Sequence, residues 1–278
     1  MQDRIPRRII QVWGQGEHDL SLLSKASRTN VKLVNPDYEY LFFDNNHIDA
    51  FLNEHFPEYC SLFQLFRLPI QRYDFFRYLA IYYYGGFYLD LDVFLASSLD
   101  SLLKQECVFP FERLTENMFL RKHYGIDWEI ANYAFGSEPR HPFIKAIIDN
   151  CVKGQKEPKW IGSMMKSIPW MFRRDFYAFY SSGPGLVTRT LAENPDLAKH
   201  VLVLFPENVC DLTKWHLFGE FGVHLMVGTW IKRKGIFRRK WLNLWRLWAR
   251  KRLLKRSMKL GPKRTLDFPD RILKSSPE

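Results

Sequence analysis

The stretch RYDFFRYLAIYYYGGFYLDLDVF, residues 72–94, decides the fold of this chain. Its first half has apolar residues at helical spacing behind Pro69, and paired glycines follow Tyr84, so the pattern predicts a helix over about Pro69–Tyr84. Its second half, FYLDLDVF, alternates apolar residues with acidic ones and predicts a strand. The region therefore predicts a helix that passes through two glycines into a strand.

Two aspartates, Asp90 and Asp92, stand one residue apart in this predicted strand. Side chains alternate along a strand, so both carboxylates would point to one side, about 7 Å apart, while Leu89 and Leu91 would face the core. Two such carboxylates repel each other unless a cation lies between them, and Mg²⁺ or Mn²⁺ prefers oxygen ligands. The pattern is short and also fits a solvated strand end without a function.

One turn of the predicted helix presents Asp74 and Arg77 at positions i and i+3, on the same face. One interpretation is a surface ion pair worth less than about 1 kcal/mol. The other is a carboxylate that accepts sugar hydroxyls beside a guanidinium that contacts phosphate or sugar oxygens. Spacing alone leaves both interpretations open.

The remainder of residues 1–231 alternates predicted strands with predicted helices, and no linker interrupts it. Predicted strands are 9–13, 38–44, 129–136 and 200–206, and predicted helices are 18–29, 45–56 (with Asn45 or Asn46 as N-cap), 141–152 and one that begins near 184. This alternation predicts an α/β layer with a parallel sheet and crossover helices. In such a sheet, ligands bind beyond the carboxyl ends of the strands, where the two aspartates stand.

Composition separates the body of the chain from its C-terminal part. The 278 residues carry a net charge of +11, yet residues 232–278 contain 17 Lys and Arg against three acidic residues, so the body is slightly acidic. The four cysteines are widely spaced, which favours neither a zinc site nor a disulfide framework and predicts a reducing cytoplasm. We expect no signal peptide and no membrane-spanning segment, because no apolar run is long enough.

The basic segment 232–259 interleaves tryptophan, leucine and cations, and on a helix one stripe would hold Phe237, Trp241, Leu244, Trp245 and Trp248. Such a helix would lie in the interface of an anionic membrane with its cations extended outward. The alternatives are a helix packed on the body and an arm that binds nucleic acid, which composition disfavours. We therefore expect residues 1–231 to form a catalytic domain and 232–278 a basic amphipathic helical tail that associates with membranes.

Five blocks of the chain, taken together, resemble glycosyltransferase family 32. They are IPRRIIQVWG (5–14), the stretch 72–94, ANYAFGSEPRHPFI (131–144), SSGPGLVTRT (181–190) and VHLMVGTW (223–230). The resemblance covers about residues 5–231 and depends most on the D-x-x-R helix, the double glycine and the D-x-D pattern occurring together. It implies a GT-A, Rossmann-like fold that binds a nucleotide-sugar, uses Mn²⁺ or Mg²⁺ and retains anomeric configuration.

The resemblance also implies roles for individual residues. Asp74 and Arg77 would contact the donor sugar, Asp90 the ribose and the metal, and Asp92 would be the direct metal ligand. Trp13 would pack on the nucleobase. These residues bind the donor, and of them Arg77 and Asp92 are also expected to be catalytic.

Further blocks imply further roles. His224 would be another metal ligand, although a lone histidine is more often a hydrogen-bonded core residue. Thr229, where the family usually has serine, and Trp230 would close over the diphosphate, and Asn132 would face the sugar pocket as a third catalytic residue. The family usually has histidine where this chain has Gln11, which cannot titrate near neutrality. The SSGPG loop fits either an active-site loop or a plain turn before a helix.

The sequence therefore predicts a metal-dependent, retaining glycosyltransferase that moves a hexose from a UDP- or GDP-sugar, with UDP favoured, to a lipid-linked or polysaccharide acceptor. We expect it at the inner face of the cytoplasmic membrane, attached peripherally, and we expect a bacterial source. No nucleophile or catalytic base is assigned. The alternative is a catalytically inactive, transferase-like adaptor that binds membranes or nucleic acid.

Overall fold

The computed structural model describes residues 2–115 and 117–227, together with six helical positions near the C-terminus, Trp241, Leu244, Leu247, Trp248, Lys251 and Arg252. Its strands are β1 Arg8–Val12, β2 Glu39–Phe43, β3 Gly86–Leu89, β4 Val93–Leu95, β5 Cys107–Leu114, β6 Trp128–Ile130, β7 Ala134–Ser137, β8 Val201–Leu204, β9 Leu217–Phe218 and β10 Gly222–His224. Its α-helices are α1 Leu22–Val34, α2 Asn45–His55, α3 Cys60–Leu65, α4 Pro69–Tyr84, α5 Met118–Tyr124, α6 Pro142–Lys156, α7 Pro158–Met165, α8 Arg173–Ser181, α9 Pro184–Glu193 and α10 Pro195–Ala198.

A mixed sheet of seven strands organises the molecule, in the order β2-β1-β3-β7-β5-β6 with β8 paired to β5. β1 pairs in parallel with β2 and β3, and β5 pairs in parallel with β8. Since β7 is antiparallel to both β3 and β5, those two strands run in the same direction. The carboxyl ends of β1, β2, β3, β5 and β8 therefore lie at one edge, which we call the carboxyl edge, where α/β folds bind ligands.

The predicted α/β class is confirmed, although the sheet is not purely parallel. The antiparallel β6 and β7 lie beside β5, so the parallel pairing that the alternation predicts is interrupted in the middle of the sheet. Successive sheet residues belong to two different hydrophobic clusters, with Ile10 in one and Ile9 in the other. The sheet is thus covered by apolar side chains on both faces, as expected for an α/β layer.

Helix α4 has the predicted bounds and lies inside the core. Every residue from Asp74 to Ile81 is buried, so this part of the helix is covered by protein on all its faces. Gly85 and Gly86 then turn the chain with positive φ angles of 65° and 98°. A Cβ at Gly86 would lie 2.6 Å from the carbonyl oxygen of Arg8, so glycine is required for β3 to approach β1.

The stretch FYLDLDVF forms two strands, and the predicted single strand is wrong. β3 ends at Leu89, and the Val93 N–H donates to the carbonyl of Asp90 at 3.0 Å, which closes a turn. β4 then leaves the main sheet and joins a second one of order β4-β10-β9. The two aspartates therefore lie in a turn at the carboxyl edge and do not alternate along one strand.

Other predicted boundaries also shift. The predicted strand 129–136 is split into β6 and β7 by an irregular segment at 131–133. Asp44, and not Asn45 or Asn46, caps α2 by accepting a hydrogen bond from the His47 N–H at 2.9 Å. Helix α1 begins after Ser21, whose hydroxyl accepts from the Ser24 N–H, because a short 3₁₀ turn occupies 17–19.

The predicted tail lies mostly outside the described residues, as does the predicted boundary at residue 231. Trp241, Leu244 and Trp248 of the predicted stripe are helical and between 57 and 66% exposed. Phe237 and Trp245 are outside the described residues. Among the helices that the structure describes, none combines the length and the apolar character that crossing a bilayer requires.

Candidate active site

The Asp74–Arg77 pair is buried, which excludes the surface ion pair that the sequence left open. Both residues are only 4% exposed, and Arg77 Nη2 lies 3.1 Å from Asp74 Oδ1. Their position on the enclosed helix α4 holds them beneath the carboxyl edge. A charged pair in such a place is costly unless its remaining hydrogen-bonding groups are also satisfied.

The carboxylate of Asp74 accepts hydrogen bonds from two further donors. Asn132 Nδ2 donates to Asp74 Oδ1 at 3.1 Å, and the Ser182 hydroxyl donates to Asp74 Oδ2 at 2.7 Å. Burial raises the pKa of Asp74, while Arg77 and the hydrogen bond from Ser182 oppose that rise. Asn132 is itself buried and also donates to the Tyr78 hydroxyl at 2.8 Å. The predicted sugar-pocket residues Asp74, Arg77 and Asn132 thus form one connected network.

Arg77 links this network to the first aspartate of the D-x-D pattern. Its Nη1 donates to the Asn132 carbonyl at 2.7 Å and lies 3.2 Å from Asp90 Oδ1. Its guanidinium also lies over the Tyr88 ring at 4.4 Å. Although burial acts to lower it, the pKa of Arg77 is raised, chiefly by the charge of Asp90, so the guanidinium remains charged.

Three ligating side chains converge where the turn after β3 meets β10. The ligand atoms of Asp90, Asp92 and His224 all lie within 4.8 Å of one another. Strand β10 brings His224 there because it pairs antiparallel with β4 and places His224 opposite Val93. Residues 132 positions apart in sequence are therefore brought together by the small second sheet.

His224 and Asp92 form an ion pair within this cluster. His224 Nε2 lies 3.1 Å from Asp92 Oδ1, and the His224 ring stacks on Tyr133 at 4.2 Å. Burial lowers the pKa of His224, but the hydrogen bond to Asp92 outweighs it and the net pKa is raised. Burial likewise acts to raise the pKa of Asp92, and the hydrogen bond from His224 reverses it to a net lowering.

The cluster fits a divalent cation. Two carboxylates and one imidazole are ligands that Mn²⁺ accepts, and Mg²⁺ accepts the carboxylates. The buried His224 Nδ1 has no hydrogen-bond partner among the described residues, while Nε2 lies 3.1 Å from Asp92 Oδ1 within the cluster. The sequence left open whether His224 is a core residue or a metal ligand. In the structure it lies where a metal ligand would be expected.

Gln11 lies on β1 and Trp13 directly follows that strand, at the carboxyl edge. The Trp13 indole N–H is buried without a hydrogen-bond partner among the described residues, and its backbone N–H donates to the Phe43 carbonyl. Gln11 Nε2 donates to the Asp90 carbonyl at 3.4 Å, and its Oε1 accepts from the Tyr40 hydroxyl at 2.7 Å. Gln11 thus supports the backbone of the aspartate turn without titrating.

Thr229 and Trp230 lie outside the described residues, so their predicted place over a diphosphate remains a prediction. The segment described before them contacts Asp92 twice. The Val227 N–H donates to Asp92 Oδ2 at 2.9 Å, and the Leu225 N–H donates to the Asp92 carbonyl at 3.0 Å. Asp92 therefore ties the aspartate turn to the C-terminal block that carries His224.

Sequence reasoning missed several residues of this site. Tyr88 donates from its hydroxyl to Asp90 Oδ1 at 2.6 Å, and Ser182 holds Asp74 from the SSGPG loop, which therefore contacts the site. The alternation in FYLDLD could have shown Tyr88 on the same side as Asp90. No sequence signal points to Tyr133, or to Glu112, which is 8% exposed at the end of β5.

The comparisons with known proteins agree with the arrangement of these residues. Residues 24–109 match the family described as "Glycosyltransferase sugar-binding region containing DXD motif". That region contains α4, both glycines of the following turn, and the aspartates of the D-x-D pattern.

Two fungal relatives are similar in sequence. Inositol phosphoceramide mannosyltransferase 2 of Schizosaccharomyces pombe is 30% identical over 152 residues, covering 55% of this chain and 40% of the relative. Mannosyl phosphorylinositol ceramide synthase SUR1 of Saccharomyces cerevisiae is 35% identical over 124 residues, covering 44% and 29%. The matches thus span less than half the length of either relative.

A solved glycosyltransferase, PaToxG, aligns with a TM-score of 0.44 at 17% identity, covering 69% of this chain and 70% of that one. The sheet with its aspartate turn at the carboxyl edge agrees with the predicted α/β fold class. Residues 24–109 are therefore similar to the DXD-containing sugar-binding region of glycosyltransferases, and the predicted resemblance to glycosyltransferase family 32 is confirmed.

Proposed function

We propose that this chain is a metal-dependent, retaining glycosyltransferase that moves a hexose from a nucleotide-sugar to a hydroxyl of a lipid-linked or polysaccharide acceptor. The observation that carries the proposal is the convergence of Asp90, Asp92 and His224 beside a buried Asp74–Arg77 pair. A sugar-binding network and a cation site at one edge of an α/β sheet are what a nucleotide-sugar enzyme requires.

Asp90, Asp92 and His224 would hold Mn²⁺ or Mg²⁺. Such an ion, when bound, neutralises charge on a leaving diphosphate. Arg77 adds a fixed positive charge on the same side, 3.2 Å from Asp90, and it is already oriented by Asn132 and Tyr88. A donor group that is oriented before the substrate arrives costs no reorganisation when charge develops.

The sugar would bind over the network of Asp74, Arg77 and Asn132. Each of these side chains is held by at least two partners, so the pocket presents its polar groups in a fixed geometry. Fixed groups orient the anomeric carbon toward the diphosphate side of the site. Trp13, Thr229 and Trp230 remain the predicted contacts of the nucleobase and the diphosphate.

The donor and the acceptor are proposed from the relatives. Both fungal relatives are named for the transfer of mannose to an inositol-containing ceramide lipid, so mannose is the first sugar to test and a glycolipid the first acceptor class. The predicted preference for UDP over GDP stays open to test. A peripheral location at the inner membrane face would bring residues 232–259 to an anionic lipid surface.

The direct test is transfer or hydrolysis of UDP- and GDP-hexoses by the purified chain, with Mn²⁺ and with EDTA. We expect one nucleotide series to be consumed only with the metal, and Asp92→Asn to abolish that turnover. The matched control is Asp49→Asn, a substitution at an exposed aspartate of α2 outside the group of Asp90, Asp92 and His224, and it should retain activity. Failure of every donor in both series would contradict the proposal.

A further inference from the structure

Glu112, a buried carboxylate that the proposed mechanism does not use, lies at the carboxyl edge. It is near the end of β5, which runs in the same direction as β3, the strand that leads to Asp90. The pairing of β5 with β6 shifts register between Phe111 and Arg113, so Glu112 lies on a β-bulge. Bulges beside active sites redirect a side chain away from the regular alternation of the strand.

The neighbouring carboxylate of Glu129 has a structural role, because partners within the protein satisfy it. Glu129 is fully buried, lies 2.7 Å from Arg113 Nε and accepts a hydrogen bond from the Thr115 hydroxyl at 2.6 Å. Arg113 is thereby directed to Glu129 and also lies over the Phe179 ring. The cation adjacent to Glu112 in sequence is thus engaged elsewhere.

Glu112 has no comparable partners. His216 Nδ1 lies 3.9 Å from Glu112 Oε1, beyond hydrogen-bonding distance, and no described residue donates a hydrogen bond to this carboxylate. Burial raises the pKa of Glu112, and the charges of Arg113 and His224 oppose the rise. A carboxylate that is 8% exposed and accepts no hydrogen bond is unfavourable in the unliganded protein.

The neighbours of Glu112 place it beside the cluster of Asp90, Asp92 and His224. Its Oε1 lies 3.9 Å from His216 Nδ1, and the centroid of the His216 ring lies 6.3 Å from that of the His224 ring. Glu112 is nevertheless outside the group of three whose ligand atoms lie within 4.8 Å of one another. It therefore borders the cation site without belonging to it.

We propose that Glu112 is a substrate-binding residue that accepts a hydrogen bond from a sugar hydroxyl. The inference rests on the proposed function and deepens it, because a hydroxyl is the donor that a sugar offers to a carboxylate. Asp74 already accepts from Asn132 and Ser182 and pairs with Arg77, whereas Glu112 accepts no hydrogen bond from any described residue. The hydroxyl belongs either to the transferred hexose or to the acceptor, and both have the same chemistry.

The test compares Glu112→Gln with the matched variant Glu129→Gln. The first removes an unpaired charge, so we expect the Tm of the unliganded protein to stay the same or to rise. The second leaves the partly buried Arg113 and the buried Thr115 hydroxyl without their carboxylate partner, so we expect its Tm to fall. If Glu112→Gln lowered the Tm as much as Glu129→Gln does, Glu112 would be a structural carboxylate and the inference would be overturned.

Kinetics of Glu112→Gln then distinguish the two sources of the hydroxyl. The probes are UDP- and GDP-hexoses with Mn²⁺, with water as acceptor in one arm and an alkyl mannoside in the other. A loss of roughly 10- to 100-fold in kcat/KM for donor hydrolysis assigns the hydroxyl to the transferred sugar. Unchanged hydrolysis with a similar loss in transfer assigns it to the acceptor.

The inference and the proposed function fail in different ways. If the unmodified chain neither binds nor consumes any donor, the proposed function fails and the inference falls with it. If the unmodified chain turns over a donor and Glu112→Gln matches it within twofold in both arms, only the inference is overturned.

Discussion

The two halves of the candidate site differ in how their charged side chains are paired and in how deeply they are buried. Around Asp74 and Arg77, the two charges pair with each other in the core, and Asp74 also accepts hydrogen bonds from Asn132 and Ser182. Around Asp90, Asp92 and His224, the side chains are only partly buried, Asp90 lies 3.2 Å from Arg77, and Asp92 pairs with His224. The first half is held by partners within the protein, whereas the second brings together three side chains of the kinds that ligate a divalent cation.

Because of this difference, we expect substitutions in the first half to affect folding and substitutions in the second half to affect chemistry. A residue whose partners are all within the protein contributes to stability, and its removal leaves a partner unsatisfied. A residue whose partner is a ligand contributes little to the unliganded fold and much to function.

The largest effect is expected for Asp92→Asn. Turnover of the nucleotide-sugar should fall about a thousandfold, because one charge of the cation site and its pairing with His224 are lost. The Tm without metal should stay close to that of the unmodified chain, as measured by thermal unfolding in EDTA. Near-normal turnover in this variant would refute the cation site, and a collapsed Tm would place Asp92 with the structural half.

Asp74→Ala should instead destabilise the fold by about 3 kcal/mol, because Arg77 would stay buried with an incomplete set of partners. Chemical denaturation measures this change, and donor turnover should fall with it. The control is Asp149→Ala, which removes an exposed ion pair with Lys145 on α6 and should cost less than about 1 kcal/mol. Equal costs for the two variants would show that burial of the Asp74 pair does not govern its energetics.

Ser182→Ala should cost about 1–2 kcal/mol, since it removes one hydrogen bond from a carboxylate that keeps its other partners. The KM for the donor sugar should rise, because Asp74 would lose its fixed orientation. Ser98→Ala, which removes a long hydrogen bond of 3.3 Å to Asn35 away from the site, is a suitable control. A KM unchanged from that of the unmodified chain would mean that the SSGPG loop does not position the pocket.

The smallest effect is a pH dependence from the His224–Asp92 pair. The pKa of His224 is raised above its ordinary value of 6.5, so its contribution is fully present below 6.5 and is lost as pH rises through the folded value. The pKa of Asp92 is lowered below 3.8, so the contribution of Asp92 persists until more acidic pH. Between these limits the pair should add about 1 kcal/mol at most to the metal-free protein.

Thermal unfolding of the unmodified chain and His224→Gln in EDTA, from pH 5 to pH 9, measures this contribution. The difference in Tm should shrink as the pH rises above neutrality. With Mn²⁺ present the trend should reverse, because the cation replaces the proton on His224 and binds more tightly at higher pH. A difference that does not change with pH in EDTA would mean that the pair is not ionised as described.

The helical half of the site could be predicted from sequence because its signals are local. Pro69 and the double glycine fix the bounds of α4, and the i and i+3 spacing places Asp74 and Arg77 together. Burial of the pair could not be predicted, because spacing says nothing about what covers a helix. The enclosing contacts come from Asn132 and Ser182, which are 58 and 108 residues from Asp74.

The cation half shows the opposite limit. The sequence predicts that Asp90 and Asp92 share a site, yet it assigns the wrong geometry, because a turn hydrogen bond ends β3 at Leu89. His224 was placed there by resemblance alone, since its approach depends on the pairing of β10 with β4. Glu112 had no signal, because a β-bulge depends on the register of two strands that sequence periodicity cannot fix.

The most direct test of the contrast is the Tm of the unmodified chain and of Asp92→Asn as UDP or GDP is added with and without Mn²⁺. Binding at about 100 times the Kd adds about 2.7 kcal/mol to the folded state, which shifts the Tm by several degrees. We predict that one nucleotide raises the Tm of the unmodified chain only with Mn²⁺, and that this increase in Tm is lost in Asp92→Asn. Equal responses in the two proteins, or none with either nucleotide, would contradict it.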